Sequence, residues 1–594
     1  MAIKKINREE IRKSMEERYK DQLESNEYNI ENIQLISIKE KENIKDDSIE
    51  YEDLGIILRG EHQVDDIIIN FDNGSIKYEG DKQSDLIRVG IPERNIDKGN
   101  IMIPISIKYK DEVIKKLIPR QKVCNKRDII GLSAEGASVN EMNAKYHIKA
   151  IEYQEQQIKT VRNRHSELGY SEYQEKEVFK LYKGVNIDSK YDGNLDIRPK
   201  GTLDDNLEDL RNLVVPYKNI SLAFALGISS AIVARLNRAN TGITNLLAHI
   251  VNGSSKGKST ATMVAISPWG NPTLTSGGLY NTWNRTENAL LTSLTGNRGL
   301  AYALDELSMT AISDLGKTIY KIAEGKDKDR LTKEIELRKS GTWSTTIISN
   351  GEASILDKGS KNEGIDIRVL ELSDIAWTES AEHSNQLQEM SKRNYGVFGH
   401  SFAEKLLQLP IEELKIRFEN EKKLFLENLS EKGEIDNKVQ RTSSKNAIVI
   451  LTARLISEWY SNYGINLDVD GIGDILVEKE IESIQRRGMD KKAEEWLLQQ
   501  VETNASKFRT KTTPGNTNTD YWGTIENLQD GSIEVAILRN KFEDIMKQGN
   551  FEDVKVVIKR LKEEHKLDHE AGRDTRKRKI NAIQTPVYVI KLKP

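Results

Sequence analysis

Apolar and polar positions change rhythm several times along the chain. Residues 7–24 are charged and helix-forming with few apolar positions, which predicts a solvated helix or partner-binding arm within 1–29. From about 30 to 135 come short Ile-rich runs, GIILRG, DIIINFD, GSIKYEG, LIRVGIP and IMIPISIKY, bounded by Gly, Asp or Asn. These are strand and turn signals. Residues 136–182 change to helical spacing, so 30–200 reads as an α+β N-terminal domain. The stretch 183–206 is polar, holds three glycines and a proline, and reads as a linker. Helical spacing resumes over 205–239. Its run Ile220–Leu236 is the most apolar in the chain, but is interrupted by Gly227 and Arg235 and is just shorter than a typical membrane span. A buried helix is expected there. Residues 385–502 are strongly helical and predict a helical lid, with Trp459 and Tyr460 in its core. A Thr/Asn-rich linker, 503–520, leads to a C-terminal domain at 521–594. There IEVAILRNKFEDIMKQG and FEDVKVVIKRLKEEHKL predict two amphipathic helices, followed by a basic turn and an alternating strand, a winged-helix pattern.

Chemistry concentrates between 245 and 370. Leu246–Val251 predicts a short buried strand. It breaks into Asn252, Gly253, Ser254, Ser255, Lys256 and Gly257, and then Lys258, Ser259 and Thr260 open a helix. Strand, glycine-containing loop, Lys-Ser and helix form the layout of a P-loop, in which backbone N–H groups surround phosphate oxygens. ATP is the expected ligand, with Lys258 on its β- and γ-phosphates and the Ser259 hydroxyl on Mg²⁺. Asn252 stands where the motif has its first glycine, and asparagine tolerates positive φ. The other reading is a chance match in a Ser/Gly-rich loop. About 45 residues on, Gly299–Leu304 predicts an apolar strand ending in Asp305 and Glu306, a Walker B signature. Asp305 would join the Mg²⁺ shell and Glu306 would orient the attacking water. The alternative is an ordinary strand ending in an acidic turn. Ser344–Ile348 predicts a further strand, with Asn350 at its tip as the polar group facing the γ-phosphate. GIDIRVLEL places Arg368 at the start of a fifth strand. Together 205–384 reads as an α/β P-loop NTPase core.

Charge adds two candidate nucleic-acid surfaces. Between the second and third motifs, EGKDKDRLTKEIELRKSGTW predicts a hairpin carrying Lys326, Lys328, Arg330 and Lys333. Such residues hold phosphates without reading sequence; the bland reading is a solvated face. In the C-terminal domain, Lys555, Lys559 and Lys562 lie along the second expected helix. Arg573, Arg576, Lys577, Arg578 and Lys579 lie on the expected wing, with Arg576, Lys577 and Arg578 the favoured DNA contacts. A protein-docking winged helix is the rival. The formal net charge of -4 excludes a generally basic nucleic-acid coat. A 37% hydrophobic and 31% charged composition is that of a soluble globular chain. One cysteine, Cys124, excludes an internal disulfide framework and, with no signal peptide, points to the cytoplasm and away from membranes. His147 and His165 have no ligand-spaced companions and read as ordinary polar positions. The N-terminal domain has no carboxylate cluster suited to nucleotidyl transfer, which argues against a primase fusion.

The series NGSSKGKST, TWNRTENALL, AYALDEL, IYKIAEGKDKDR, TWSTTIISNGE and IRVLEL resembles an uncharacterised-domain ATPase family of phage and plasmid replication proteins. Within it the chain is most similar to the cassette chromosome helicases, minichromosome-maintenance-like AAA+ helicases of mobile elements. The resemblance covers about 140–594. It implies a multidomain α/β chain with a central AAA+ domain, working as a homo-hexamer that hydrolyses Mg-ATP between subunits and translocates on single-stranded DNA into forked duplex. It also implies that Arg368 acts in trans, with Arg330 in reserve, and that the basic hairpin lines a central channel. Arg441 is a candidate second sensor. Single-strand-binding or initiator proteins are the partners this leaves open. The rival class is an ATP-driven remodelling or defence ATPase whose winged helix binds a protein.

Overall fold

The computed structural model describes residues 58–594 apart from 254–255, 276, 332–336, 339, 359–364, 433–437, 511–519, 550, 552–553, 571, 581–582 and 593–594. The expected arm at 1–29 and the start of the N-terminal domain lie outside the described residues.

The N-terminal region is two sheets around one helix. Glu61–Val64, Ile67–Asn70, Ser75–Tyr78 and Lys82–Asp85 form an antiparallel meander in chain order. A second, six-stranded sheet is built on the hairpin Ile101–Tyr109 with Glu112–Pro119. The helix Ala144–Gln157 serves both. Its Tyr146 and Ala150 pack on Ile67, Ile69 and Ile76 of the meander, while Ala144 and Ile151 pack on Ile103, Ile105 and Ile107 of the other sheet.

Helix was expected to continue to 182, and the structure corrects this. Arg162–His165, Leu168–Tyr173 and Lys176–Lys180 are strands. The polar stretch 183–206 is not a loose linker: Ser189–Tyr191 pairs in parallel with Asn163–His165, and Ile197 is 2% exposed. Strand pairing here overrides a local pattern that favours helix. The hairpin 168–180 also pairs in parallel with Asn297 and Arg298 of the following domain. Gly169 permits that approach. It sits at φ +85, and a Cβ there would lie 1.8 Å from the Arg298 carbonyl oxygen.

The central domain is a five-stranded parallel sheet of Leu246–Val251, Tyr280–Thr282, Tyr302–Asp305, Thr346–Gly351 and Val369–Ser373. Counted in chain order, its strands lie 5-1-4-3-2. The helix Lys218–Arg238 runs across it. This helix is long and apolar enough to span a membrane, but 94% of its most apolar window is buried inside the protein. A helix apolar all round is a core helix in such a setting. Its Ser229 Oγ meets Thr346 Oγ1 at 2.8 Å, and its Ser230 Oγ donates to the Gly299 carbonyl at 2.8 Å, tying it to two sheet segments. The helices Ala381–Arg393, Val397–Gln408, Ile411–Lys432 and Val439–Tyr460 share this core; Tyr460 is 1% exposed and Trp459 packs against the same cluster.

The helix Val469–Thr503 is shared between regions. Ile472 and Leu476 belong to the central core, whereas Ala493, Leu497 and Val501 belong to the C-terminal core with Val535, Phe542, Ile558 and Tyr588. That second core reaches upstream of the expected start at 521. Two further differences concern the C-terminal elements. Residues 533–538 form a strand, and helix begins only at Arg539. The alternating β-branched residues Ile533, Val535 and Ile537 sit between the strands Gly523–Asn527 and Ile583–Leu592, which explains the preference. The expected basic turn is itself a strand, Arg576–Ile580, hairpinned onto Ile583–Leu592.

Candidate nucleotide site

The strand Leu246–Val251 ends at the carboxyl edge of the sheet, beside the point where chain order reverses, which is where ligands bind in open parallel sheets. The loop that follows is fixed from outside. The Asn252 side-chain amide donates to the Ile375 carbonyl, and its Oδ1 accepts from the Gly253 N–H at 3.1 Å. Neither Asn252 nor Gly253 has positive φ. Asn252 therefore replaces the expected glycine by tethering the loop, not by tolerating a left-handed turn. The left-handed residue is Gly257, at φ +78, where a Cβ would crowd Thr378 Oγ1 at 2.7 Å. The backbone carbonyl of Lys256 accepts from Trp377 N at 3.1 Å, so the segment after the fifth strand backs the whole loop. Ser254 and Ser255 lie outside the described residues.

Lys258 opens the helix Lys258–Ile266 and directs its Nζ into the loop, donating to the carbonyls of Asn252 and, at 3.0 Å, Gly253. Thr260 reaches the other way, with its Oγ1 2.7 Å from Ser384 Oγ on the helix Ala381–Arg393. The strand Tyr302–Asp305 carries the expected acidic residue at its end. Glu306 follows at φ +57, and its carboxylate accepts from the Ser308 N–H at 3.3 Å and from the Ser308 hydroxyl. Asn350 is 1% exposed and joins the two motifs: its Oδ1 accepts from Glu306 N at 3.0 Å, and its Nδ2 donates to Thr262 Oγ1 at 3.2 Å. It lies inside the strand Thr346–Gly351, not beyond its tip.

One member of this group was missed by sequence reasoning. Tyr280 is 4% exposed and lies on the strand beside Tyr302–Asp305, opposite Ala303 in the parallel register. Burial first, and then the Asp305 carboxylate, push its phenol well above the ordinary tyrosine range. An aromatic in an apolar strand carries no sequence mark of such a role. The signal lay in the neighbouring motif, since Trp283 Nε1 donates to Ser349 Oγ at 2.9 Å and Arg285 binds Asn281, Ser293 and Tyr302, fixing the strand's end.

Ser259 and Asp305 offer hard oxygens. No group of three or more His, Cys, Asp or Glu able to hold a metal occurs among the described residues. This donor set fits Mg²⁺, which takes one or two protein oxygens and completes its shell with phosphates and water. His147 and His165 are both fully buried, His147 against Ser84 and His165 between Ser189 and the Leu181 carbonyl.

Other expected site residues lie elsewhere. Arg368 precedes the fifth strand at its amino end, while the P-loop leaves at the level of Ser373. Five residues of strand put it about 16 Å from the loop of its own chain. It stacks on the Tyr320 ring at 3.9 Å. Arg441 is exposed and lies near that same far edge, since its helix neighbours Lys438 and Lys445 contact Asp366 and the Ile367 carbonyl. The hairpin forms, with Arg330 opposite Arg338 and Leu331 opposite Leu337. Lys328 is exposed, but Lys326 pairs with Asp329 at 3.0 Å. Lys333 lies outside the described residues. In the C-terminal domain Arg576 pairs with Asp568, and Arg578 with Glu534 at 3.0 Å, leaving exposed Lys577 on the alternate face of the strand.

Residues 84–342 match the family described as a domain of unknown function, DUF927, and residues 488–594 match the Cch helix turn helix domain. A solved structure titled "SCCmec type IV Cch - active helicase" superposes with a TM-score of 0.63 at 23% identity, over 90% of this chain and 98% of that one. The chain is similar to the cassette chromosome helicases. At this identity the likeness to the cassette helicase is one of fold. The first match runs from the N-terminal sheets through both phosphate motifs to Thr342 at the hairpin's base, the region that the 168–180 hairpin joins. The second begins close to Ala493, where the C-terminal core begins. The C-terminal region of NrS-1 is a further structural match, with a TM-score of 0.23 at 10% identity over 66% of this chain and 90% of that one. A comparison with curated proteins gives no match.

Proposed function

We propose that this chain is an ATP-dependent DNA helicase of a mobile genetic element or phage. In this reading it is a cytoplasmic AAA+ motor that works as a homo-hexamer on single-stranded DNA during replication initiation. The observation that carries the reading is the convergence of Lys258, Ser259, Asp305, Glu306 and Asn350 at one edge of a 5-1-4-3-2 parallel sheet. Backbone N–H groups of the loop and the Lys258 ammonium bind the phosphates. Ser259 and Asp305 would hold magnesium, which would offset the charge of the phosphates. Glu306 orients the attacking water and takes up its proton, and Asn350 fixes the backbone from which Glu306 projects.

Arg368 acts on a neighbouring subunit's nucleotide, a role consistent with its distance from its own P-loop. Arg330 is the reserve. The 326–342 hairpin tracks the DNA backbone through Lys328, with Lys326 exchanging Asp329 for phosphate; an exposed ion pair of this kind is worth only about 0–1 kcal/mol. Arg576 and Arg578 exchange their carboxylate partners in the same way when the C-terminal domain meets duplex. A second reading, a remodelling or defence ATPase whose C-terminal domain binds a protein, draws on those same two pairings, which leave that strand less basic than its sequence.

ATP hydrolysis measured with and without single-stranded DNA, beside displacement of a forked duplex, separates them. Stimulation with strand displacement is expected. Hydrolysis indifferent to DNA, with no displacement, would favour the remodeller. Lys258→Ala should abolish hydrolysis, and Glu306→Gln should retain ATP binding while turnover falls by roughly 10²–10⁴.

A further inference from the structure

The hairpin Ile101–Tyr109 with Glu112–Pro119 ends in an exposed tip. Ile103, Ile105 and Ile107 are buried in the N-terminal core, but Tyr109 is 48% exposed and Val113 61%. Between 108 and 127 the chain carries eight Lys or Arg against two Asp or Glu, in a molecule of formal net charge -4. Lys116 pairs with Glu135, and Arg120 with Glu155 at 2.8 Å. Among the described residues no ion pair engages Lys108, Lys110 or Lys115, all three exposed at the tip. Lys108 lies opposite Val113 and Lys115 opposite Ser106 in the antiparallel register. The two lysines therefore share a face as diagonal neighbours, about 7–8 Å apart. Lys110 sits in the turn that joins the strands.

The Tyr109 ring is held in place. It rests on Gly136, where φ is +93 and a Cβ would lie 2.6 Å from the ring's Cγ and Cδ2. Backbone and space both require glycine there. Gly136 follows the segment Gly131–Glu135, whose Leu132 packs in the same core as Ile103. The result is an aromatic ring supported by fixed backbone on one side, with nearly half its surface open to water. The Lys110 ammonium stands 5.5 Å from its centroid, an exposed cation–π contact weaker than base stacking.

A fixed aromatic ring among unpaired cations is the combination that holds a single strand: the cations take phosphates and the ring takes an unstacked base. Bases inside a duplex stack on one another and offer Tyr109 no free face. Asp111 and Glu112 are the two anions of the stretch, one in the turn and the other opposite Tyr109. They repel phosphate from the ring's edge and leave that position to an uncharged base. The cations expected to meet DNA elsewhere are better neutralised, with Lys326 paired to Asp329, Arg576 to Asp568 and Arg578 to Glu534.

We propose that the tip of this hairpin is a contact for single-stranded DNA, with Tyr109 stacking on a base and Lys108, Lys110 and Lys115 holding the flanking phosphates. The proposal rests on the helicase reading above for the class of ligand, and it does not involve the ATP site.

The test uses the full chain and an oligo-dT carrying 5-iodouracil. Ultraviolet crosslinking followed by peptide mass spectrometry reads which residue meets a base, and an adduct on Tyr109 is expected. Tyr109→Ala should weaken oligo-dT binding roughly 5–150-fold. Binding of an abasic oligonucleotide of the same length, and ATP hydrolysis without DNA, should stay at the parental level. Lys108→Ala, Lys110→Ala and Lys115→Ala together should lower the salt slope of oligo-dT binding by about 2, at about 0.7 per lost phosphate contact. Adducts confined to other residues, with parental oligo-dT affinity in Tyr109→Ala, overturn the proposal and leave the helicase reading standing. Equal affinity of the parent for oligo-dT and the abasic oligonucleotide also overturns it, making the tip a general anion surface such as an acidic protein would meet. A parent that binds no single-stranded DNA removes both readings. Should Tyr109→Ala unfold, crosslinking of the unaltered chain still decides, since it needs no substitution.

Discussion

Asn350 shows how a single buried amide carries information between motifs. It accepts from the Glu306 N–H and donates to Thr262, one turn along the P-loop helix from Lys258. Asn350→Ala leaves that part-buried N–H without its acceptor and loosens the Glu306 backbone, which sits at positive φ. We expect turnover to fall roughly 100-fold, by analogy with loss of one preorganised donor, with KM little changed; a matched fall in nucleotide affinity would place Asn350 in binding instead. Burial governs His165 differently. Removal from water lowers its pKa from 6.5 to about 4, so the folded state favours the neutral ring. Protons then bind the unfolded state first as pH falls. Stability from this group is complete above about pH 6.5 and is lost between there and about pH 4. His165→Asn should flatten the dependence of unfolding free energy on pH across that window, by up to about 3 kcal/mol, measured by urea unfolding at pH 7 and pH 4. An unchanged slope would assign the acid sensitivity to other groups. Asn252, Lys258, Asp305, Glu306 and Asn350 could be named as candidates from the sequence because phosphate chemistry restricts both residue type and spacing. The position of Tyr280 was not legible, because it comes from the register of two adjacent strands and has no spacing of its own.

Elements were legible where one local pattern dominated. The Ile-rich N-terminal strands and the helix at 218–238 follow directly from periodicity. The errors at 162–180 and 533–538 share a feature: besides a local hairpin partner, each segment pairs with strands farther along the chain, Ser189–Tyr191 and Asn297–Arg298 for the first and Ile583–Leu592 for the second. Charged residues with good helical propensity, such as those in the VRNRHSELGY stretch, conceal pairing of that kind. Gly169 is the residue at which the distant pairing is enforced, since any side chain there meets the Arg298 backbone. Gly169→Ala should destabilise the chain by about 1–3 kcal/mol through overpacking, with roughly 1–2 kcal/mol more from the left-handed backbone. Denaturant unfolding monitored together with ATP hydrolysis would test this. Loss of stability with loss of activity is expected, because the strand it distorts leads into Walker B; unchanged stability would mean that the hairpin can slide off the sheet without cost.

At the scale of the molecule, the helix Val469–Thr503 decides how the parts communicate. Its 35 residues extend about 52 Å at the standard rise, joining the core that contains the nucleotide sheet to the one that contains the C-terminal domain. Of the expected linker at 503–520, residues 511–519 lie outside the described residues, and the C-terminal core does not begin only after it. Instead Trp496 Nε1 donates to the Ile545 carbonyl at 2.8 Å, and Leu497 and Val501 sit inside the C-terminal core with Phe508. A fragment starting at 521 loses Leu497, Val501 and Phe508, worth roughly 5–9 kcal/mol of burial together. That is comparable with the whole stability of a small domain, about 5–15 kcal/mol. Residues 488–594 should therefore give a cooperative thermal transition alone, whereas 521–594 should not. If the shorter fragment unfolds cooperatively at the same temperature, the end of the long helix is packing decoration, and the C-terminal domain is free of the motor. If only the longer fragment folds, a rotation of the helix at the nucleotide core reaches the C-terminal domain without an intervening hinge. The salt dependence of DNA binding by that fragment, before and after Lys577→Glu, then reports whether the domain is a DNA grip. A slope reduced by about one unit is expected for one lost phosphate contact, and an unchanged slope moves the case toward a protein partner.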